Sequence, residues 1–62
     1  MRVRCKDQEW ELKGRMAVEK VVRLCGFDLQ SVLVLRNGKL VTEDQMVGPY
    51  DEVEIVPTVS GG

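Results

Sequence analysis

The sequence predicts an α+β domain in which one helix packs on one face of a mixed sheet of four to five strands. Three observations support this prediction: two hairpin-like segments with strand alternation or apolar runs, one short stretch of helical periodicity, and a chain of only 62 residues. A chain this short buries only about 60% of the surface that its unfolded form exposes, so one helical layer is all that fits. We expect one domain over residues 1–58 and a flexible tail over residues 59–62.

The first predicted element is a hairpin near the start of the chain. Val3 and Cys5 alternate with charged residues, and Trp10 and Leu12 do the same after the dipeptide Asp7-Gln8. A turn at this dipeptide puts apolar residues opposite each other on one face and opposite charges on the other. The predicted pairs are Lys6 with Glu9, Cys5 with Trp10, Arg4 with Glu11, and Val3 with Leu12.

Helical periodicity follows Gly14 and predicts one short amphipathic helix. The apolar residues at helical spacing are Ala17, Val18, Val21, Val22 and Cys25. Gly26 then occupies the position of a left-handed C-cap, and Phe27 is placed to pack back on the last turn. The start of the helix is less well marked, since neither Arg15 nor Met16 is a good N-cap.

The second half of the chain predicts another hairpin followed by a loop. Residues 31–36 form an apolar run of strand length, and Asn37-Gly38 is the strongest short hairpin signal in a sequence. Residues 39–42 return as a short partner strand. Residues 43–50 are predicted to be a loop, from which Met46 and Val47 pack into the core.

The last predicted strand runs from Glu52 to Val56, with Val53 and Ile55 facing the helix. Regular pairing on one side should end near Pro57, which has no amide hydrogen to donate. The order of hairpin, helix, hairpin and final strand is that of the β-grasp, or ubiquitin-like, fold. The pattern does not determine the order of the strands within the sheet.

Composition limits the protein class. Hydrophobic residues make up 44% and charged residues 31% of the chain, which is typical of a folded domain and unlike a disordered segment. No apolar run approaches the roughly 20 residues that span a bilayer, and the opening residues lack the apolar stretch of a signal peptide. We therefore expect a cytoplasmic protein without a membrane partner.

Several kinds of catalytic chemistry are excluded by missing residues. The chain has no histidine and no glycine motif that cradles phosphate. Cys5 and Cys25 stand 20 residues apart, which does not fit the closely spaced ligands of a zinc site. We expect both to be small buried hydrophobic residues, and a disulfide between them stays open. The sequence thus predicts no enzyme, no metal site and no bound cofactor.

The charges are unevenly distributed along the chain. Residues 1–39 carry all nine basic residues and a net charge of +4, whereas residues 40–62 carry −5. Glu52 and Glu54 belong to this acidic segment. We expect them to steer the protein toward a basic partner, and we expect no direct binding to nucleic acid.

The residues after the last strand supply the candidate reactive group. Gly61 and Gly62 follow Val59 and Ser60, and glycine has no Cβ, so its backbone can lie as an extended thread against another surface. A thread of this kind can carry the Gly62 carboxylate into the active site of another protein. Because a free carboxylate is a poor electrophile at neutral pH, that protein would have to activate it.

Three segments resemble a known family. The chain is similar to the ThiS/MoaD sulfur carriers and the small archaeal ubiquitin-like modifiers at Asn37-Gly38, at residues 51–55 and at residues 59–62. The likeness covers most of the chain from Val32 onward, while the first half matches only in pattern. It implies that Gly62 is adenylated by a ubiquitin-activating-type enzyme with ATP and receives sulfur from a persulfide donor. Gly61 and Gly62 would fit the narrow channel of that enzyme.

The resemblance leaves the pathway open. Ser60-Gly61-Gly62 looks closest to carriers for tRNA thiolation, whereas thiamine and molybdopterin biosynthesis are the other destinations of such sulfur. A second interpretation is a protein modifier that is joined through Gly62 to lysines of target proteins. A third is a noncovalent adaptor that works through its β-grasp surface. We expect the chain to be a monomer that binds an activating enzyme, a sulfur donor and a sulfur-acceptor enzyme.

Docking to an activating enzyme needs a surface as well as a tail. If Val53 faces the helix, Val56 faces away from it, since side chains alternate along a strand. Either Leu33 and Leu35 or their neighbours Val32 and Val34 then share the open face. We favour a patch of Leu33, Leu35 and Val56, because an exposed apolar patch rimmed by charge often marks a protein contact.

Overall fold

The structure is a computed structural model that describes residues 1–58. Its strands are β1 (Arg2–Cys5), β2 (Gln8–Glu11), β3 (Met16–Ala17), β4 (Val32–Arg36), β5 (Lys39–Val41), β6 (Met46–Val47) and β7 (Glu52–Pro57). The helix α1 (Val18–Leu24) and a 3₁₀ helix (Leu29–Ser31) lie between β3 and β4. Neither of these two helices of residues 1–58 is long and apolar enough to cross a membrane.

The main sheet has five strands in the order β2-β1-β7-β4-β5. The first and last strands in the chain, β1 and β7, are parallel neighbours, and the other neighbouring pairs are antiparallel. With α1 packed on one face, this is the mixed β-grasp sheet that the sequence predicts. The pairing of β1 with β7 joins the two ends of the domain, and a sequence pattern does not reveal such a contact.

The core lies between α1 and the inner face of the sheet. Its fully buried side chains are Val3, Val18, Val21, Val22, Val47 and Ile55. Val53 is also buried, so the predicted inward direction of Val53 and Ile55 is confirmed. The predicted burial of Cys5 is confirmed as well, whereas Cys25 is half-buried, and both thiols are free.

The predicted register of the first hairpin is wrong by two residues. The turn lies at Lys6-Asp7, and the observed pairs are Cys5 with Gln8, Arg4 with Glu9, Val3 with Trp10, and Arg2 with Glu11. Lys6 adopts a left-handed conformation with φ 56°, which closes this two-residue loop. A shift of two residues keeps every side chain on its predicted face. It also pairs Arg2 with an acid, whereas the predicted register placed it opposite Lys13.

Backbone groups cap both ends of α1. Val18 N–H donates to the carbonyl of Gln45 at 2.9 Å, and Glu19 N–H donates to that of Glu43 at 3.1 Å. The loop before β6 thus replaces the side-chain N-cap that the sequence lacks. At the other end Gly26 has φ +85°, and Phe27 N–H donates to Val22 at 3.0 Å, which confirms the predicted C-cap.

The predicted loop over residues 43–50 contains a short strand. Here β6 pairs with β3 in a separate two-stranded sheet, with Met16 opposite Val47. Val47 is fully buried, as predicted, but the prediction that Met46 packs into the core is wrong, since it is 42% exposed. Neighbouring residues of a strand point in opposite directions, so the burial of one exposes the other.

The end of β7 is asymmetric. Its pairing with β1 stops at Glu54, whereas its pairing with β4 reaches Pro57, and Thr58 N–H still donates to Ser31 at 2.8 Å. Donors alternate in direction along a strand, so the missing amide hydrogen of Pro57 belongs to the side of β1. This confirms that regular pairing on one side ends near Pro57.

Candidate docking surface

The face of the sheet that lies opposite α1 is open and divides into two halves. The apolar half consists of Leu33, Leu35, Leu40 and Val56, on β4, β5 and β7. The charged half consists of Arg2, Arg4, Glu9, Glu11, Glu52 and Glu54, on β1, β2 and β7. The two halves meet where Leu35 pairs with Glu54.

The apolar half includes every residue of the predicted patch. Leu33 pairs with Val56 across β4 and β7, and Leu33 is 47% exposed while Leu35 and Val56 are half-buried. Val34 is buried at 4% exposure, which excludes the alternative in which Val32 and Val34 share the open face. The predicted placement of the three residues on the open face is confirmed.

Sequence reasoning missed Leu40, which is 64% exposed. It pairs with Leu35 across the hairpin and so extends the apolar half to the edge of the sheet. The signal was present, because a two-residue loop at Asn37-Gly38 fixes this register. Asn37 and Gly38 have φ values of 51° and 85°, as that tight turn requires.

The charged half places two arginines between four glutamates. Arg2 lies between Glu11 and Glu52, and Arg4 is paired with Glu9 on β2 and Glu54 on β7. Opposite charges on neighbouring strands attract each other. The basic opening of the chain therefore lies beside its acidic end, and Arg2 and Arg4 offset two of the four carboxylates, so this half stays acidic on balance. The role of Glu52 and Glu54 in steering a partner stays a prediction.

A hydrogen-bonded network ties the second hairpin to the start of β7. The Asn37 side chain donates to Asp51 Oδ1 at 3.0 Å and accepts from Glu52 N–H at 2.9 Å, and Asp51 Oδ2 accepts from Gly48 N–H at 2.7 Å. The bond from Gly48, followed by the one from Asn37, lowers the pKa of Asp51 below its ordinary value. Asn37 and Asp51, which belong to two of the segments that resemble the sulfur carriers, are thus joined by a direct hydrogen bond.

The last described residues lie next to the apolar half. Val56 belongs to that half, Pro57 pairs with Val32, and Thr58 bonds to Ser31. The predicted site residues that follow, Val59, Ser60, Gly61 and Gly62, lie outside the described residues.

Other reactive groups of the described residues are poorly placed for chemistry. Residues 1–58 contain no group of three or more His, Cys, Asp or Glu side chains that is arranged to hold a metal ion. Cys5 is buried, and burial, with a smaller effect from Cys5, raises the pKa of the Cys25 thiol. A raised pKa keeps the thiol protonated, and the thiolate is the reactive form.

A comparison with known families agrees with this arrangement. The model of the ThiS family matches residues 2–62, which is nearly the whole chain and includes all five strands of the main sheet. Members of this family are small sulfur carriers rather than catalysts, and they act with an adenylating enzyme and sulfur-transfer enzymes. With a β-grasp fold and a match over this length, the chain belongs to the ThiS family and has the role of a sulfur carrier.

Proposed function

We propose that the Gly62 carboxylate is adenylated by a ubiquitin-activating-type enzyme and is then converted to a thiocarboxylate that carries sulfur. The observation that carries this proposal is the family match, which extends to residue 62 and so includes Gly61 and Gly62. Two residues without a Cβ give the backbone the slender profile that a narrow channel needs.

The proposed chemistry uses only the carboxylate of this chain. Its oxygen attacks the α-phosphorus of ATP and releases pyrophosphate, which leaves an acyl adenylate. The terminal sulfur of a persulfide attacks the acyl carbon, and AMP leaves. This forms a carbon–sulfur bond and leaves an acyl disulfide with the donor. A second thiol then attacks the donor sulfur and cleaves the sulfur–sulfur bond that came from the persulfide, forming a disulfide with the donor and releasing the thiocarboxylate. Cys5 and Cys25 take no part, because one is buried and the other is held as a thiol.

We propose that the apolar half of the open face docks on the adenylating enzyme. Exposed apolar side chains that lie together favour a protein contact, and Leu33 and Leu40 are the most exposed of this set. Gly62 is six positions after Val56, so an extended thread reaches no more than about 20 Å from this surface. Val59 and Ser60 would lie in the approach to the channel, and Glu52 and Glu54 would border the contact.

For the sulfur acceptor we favour an enzyme of tRNA thiolation. This choice depends on the similarity of Ser60-Gly61-Gly62 to the carriers of that pathway. In this scheme the acceptor enzyme, and not the carrier, binds the RNA. Thiamine and molybdopterin biosynthesis are the competing destinations.

The test is the intact mass of a chain that ends at Gly62, measured after incubation with a lysate of its own source, ATP and a sulfur donor. We expect the exchange of one oxygen for sulfur at the terminus. A chain lacking Gly62 and a Gly61→Val variant are the controls, and neither should exchange. A Cys5→Ser/Cys25→Ser variant should still exchange.

Other results would contradict the proposal. Attachment of the chain to larger proteins through Gly62, without sulfur exchange, would identify a protein modifier. Absence of both reactions, in a lysate shown to activate a known carrier, would favour a noncovalent adaptor.

A further inference from the structure

An apolar groove lies along the β5 edge, mainly on the helix side of the sheet. Its volume is about 360 Å³, and it runs between the start of α1 and the strands β4 and β5. Its apolar lining on the helix side includes Val18, Leu29, Val32, Val34 and Val41, and Leu33 and Leu40 line its border with the open face. The helix has only seven residues and leaves this end of the sheet uncovered, so Leu29, Val32 and Val41 are only half-buried.

The groove borders a free strand edge. In a two-residue hairpin the residues flanking the loop, Arg36 and Lys39, exchange backbone hydrogen bonds. Backbone groups of successive strand residues point to opposite sides of the strand. The N–H and C=O of Val41 therefore point toward β4, and those of Leu40 point away from the sheet. The edge ends at Thr42, whose N–H donates to the Gln45 side chain at 2.9 Å and whose carbonyl accepts from Gln45 N–H at 3.1 Å. Leu40 is therefore the one residue of β5 that is available to pair with an added strand.

Charges of opposite sign stand at the two ends of this edge. Lys39 and Val41 occupy positions on the helix side of β5, and Glu43, which lies in the turn just after the strand, lines the groove. A strand that adds antiparallel to β5 places helix-side residues opposite Lys39 and Val41, and its next helix-side residue toward the Glu43 turn. Charge complementarity then calls for an acidic residue opposite Lys39, an apolar one opposite Val41 and a long basic one that reaches Glu43.

We propose that the β5 edge and this groove bind an extended peptide segment of a partner protein. From its N-terminal to its C-terminal end, the segment has a basic residue, any residue, two apolar residues and an acidic residue. The second apolar residue pairs with the backbone of Leu40 and lies over its side chain. The first enters the groove beside Val41. Main-chain bonds supply the affinity and the alternating side chains supply the selectivity, as in other cases of strand addition. The proposal does not depend on the chemistry of Gly62.

The test uses the whole chain, isotope-labelled for NMR, and the capped peptide Gly-Lys-Ser-Val-Ile-Glu-Gly. We expect saturable shifts of the amides of Leu29, Val32, Leu40 and Val41. A peptide of the same composition with Lys and Glu exchanged should bind roughly threefold to tenfold more weakly, since two exposed ion pairs become repulsive. In a Lys39→Glu/Glu43→Lys variant the order of the two peptides should reverse.

A second pair of variants separates the backbone contact from the side chain. Leu40→Pro removes an N–H that faces away from β4, which an edge strand tolerates, whereas Leu40→Ala keeps it. We expect Leu40→Pro to bind roughly threefold to tenfold more weakly than Leu40→Ala. Equal binding of both peptides, absence of saturable shifts, or shifts confined to the open face would overturn the proposal. Shifts at β5 that grow with protein concentration alone would instead assign this edge to a second copy of the chain.

Discussion

The charged and apolar halves of the open face belong to the same sheet, yet they differ in whether their side chains have complementary neighbours. In the charged half Arg2 and Arg4 each lie between two acidic residues on neighbouring strands. In the apolar half Leu33 and Leu40 have large exposed surfaces that no residue among those described covers. The first half therefore contributes mainly to folding, and the second is the half that gains free energy when a partner covers it.

The comparison is tested most strongly by placing a charge in the apolar half. Leu33→Asp should lower the catalytic efficiency of adenylation by about 100-fold, because docking would then bury an unpaired carboxylate. Stability should change by less than about 1 kcal/mol, since Leu33 is half exposed. Pyrophosphate exchange measures the first effect and urea unfolding the second. The matched control in the charged half is Glu9→Gln, and an equal loss of activation there would contradict the division.

The extent of the apolar half is tested at Leu40. Leu40→Ser should lower the efficiency of adenylation by about tenfold if the docking surface reaches β5, because a large apolar contact is lost. Lys39→Ser changes the neighbouring position on the other side of the strand and should have little effect. If both variants behave like the unchanged chain, the docking surface ends at β4.

The charged half is tested by reversing one charge. Arg4→Glu places three acidic side chains next to one another on β2, β1 and β7, and should lower the free energy of unfolding by about 1 kcal/mol. The loss should shrink in salt of about 1 M, where the Debye length is near 3 Å. Urea unfolding at low and high salt measures both values, with Arg4→Gln as the neutral control. A loss that salt does not change would show that packing of the Arg4 stem matters more than its charge.

The smallest expected effect concerns the hydrogen-bonded network that joins the second hairpin to the start of β7. The pKa of Asp51 is lowered in the folded protein, first by Gly48 N–H and then by the Asn37 amide. A lowered folded pKa contributes stability that is present above the ordinary carboxyl pKa and is lost as the pH falls through the folded value. The melting temperature should therefore decrease over this acidic range, and the decrease should be smaller in Asp51→Asn. An identical decrease in the variant would assign the effect to other carboxylates.

How much of this surface the sequence predicts depends on how far apart along the chain the paired residues are. Alternation in β7 and the tight Asn37-Gly38 turn placed Leu33, Leu35 and Val56 on the open face correctly, because both signals are local. Leu40 was within reach of the same argument. The first hairpin shows the limit: its faces were right, but the turn lies one residue earlier, at Lys6-Asp7, and the pairing register is shifted by two residues.

The charges show the opposite case. Along the chain the basic and acidic residues are separated, and the sequence predicts a separate acidic segment around Glu52 and Glu54. In space the parallel pairing of β1 with β7 sets Arg2 beside Glu52 and Arg4 beside Glu54. The sequence does not reveal these neighbours because the pairing joins residues about 50 positions apart, and no turn or spacing specifies it.

The sequence by itself determined the β-grasp order of elements, the inward faces of the strands, the C-cap at Gly26 and the two glycines that mark the candidate reactive end. These features follow from periods and turn preferences that act over a few residues. The tertiary structure alone decided which strands are neighbours, how the loop at residues 43–45 caps α1, and that Arg2 and Arg4 lie beside the acidic residues of β7. Such contacts depend on closing long loops around a shared core, and only the packing of the whole chain selects among them.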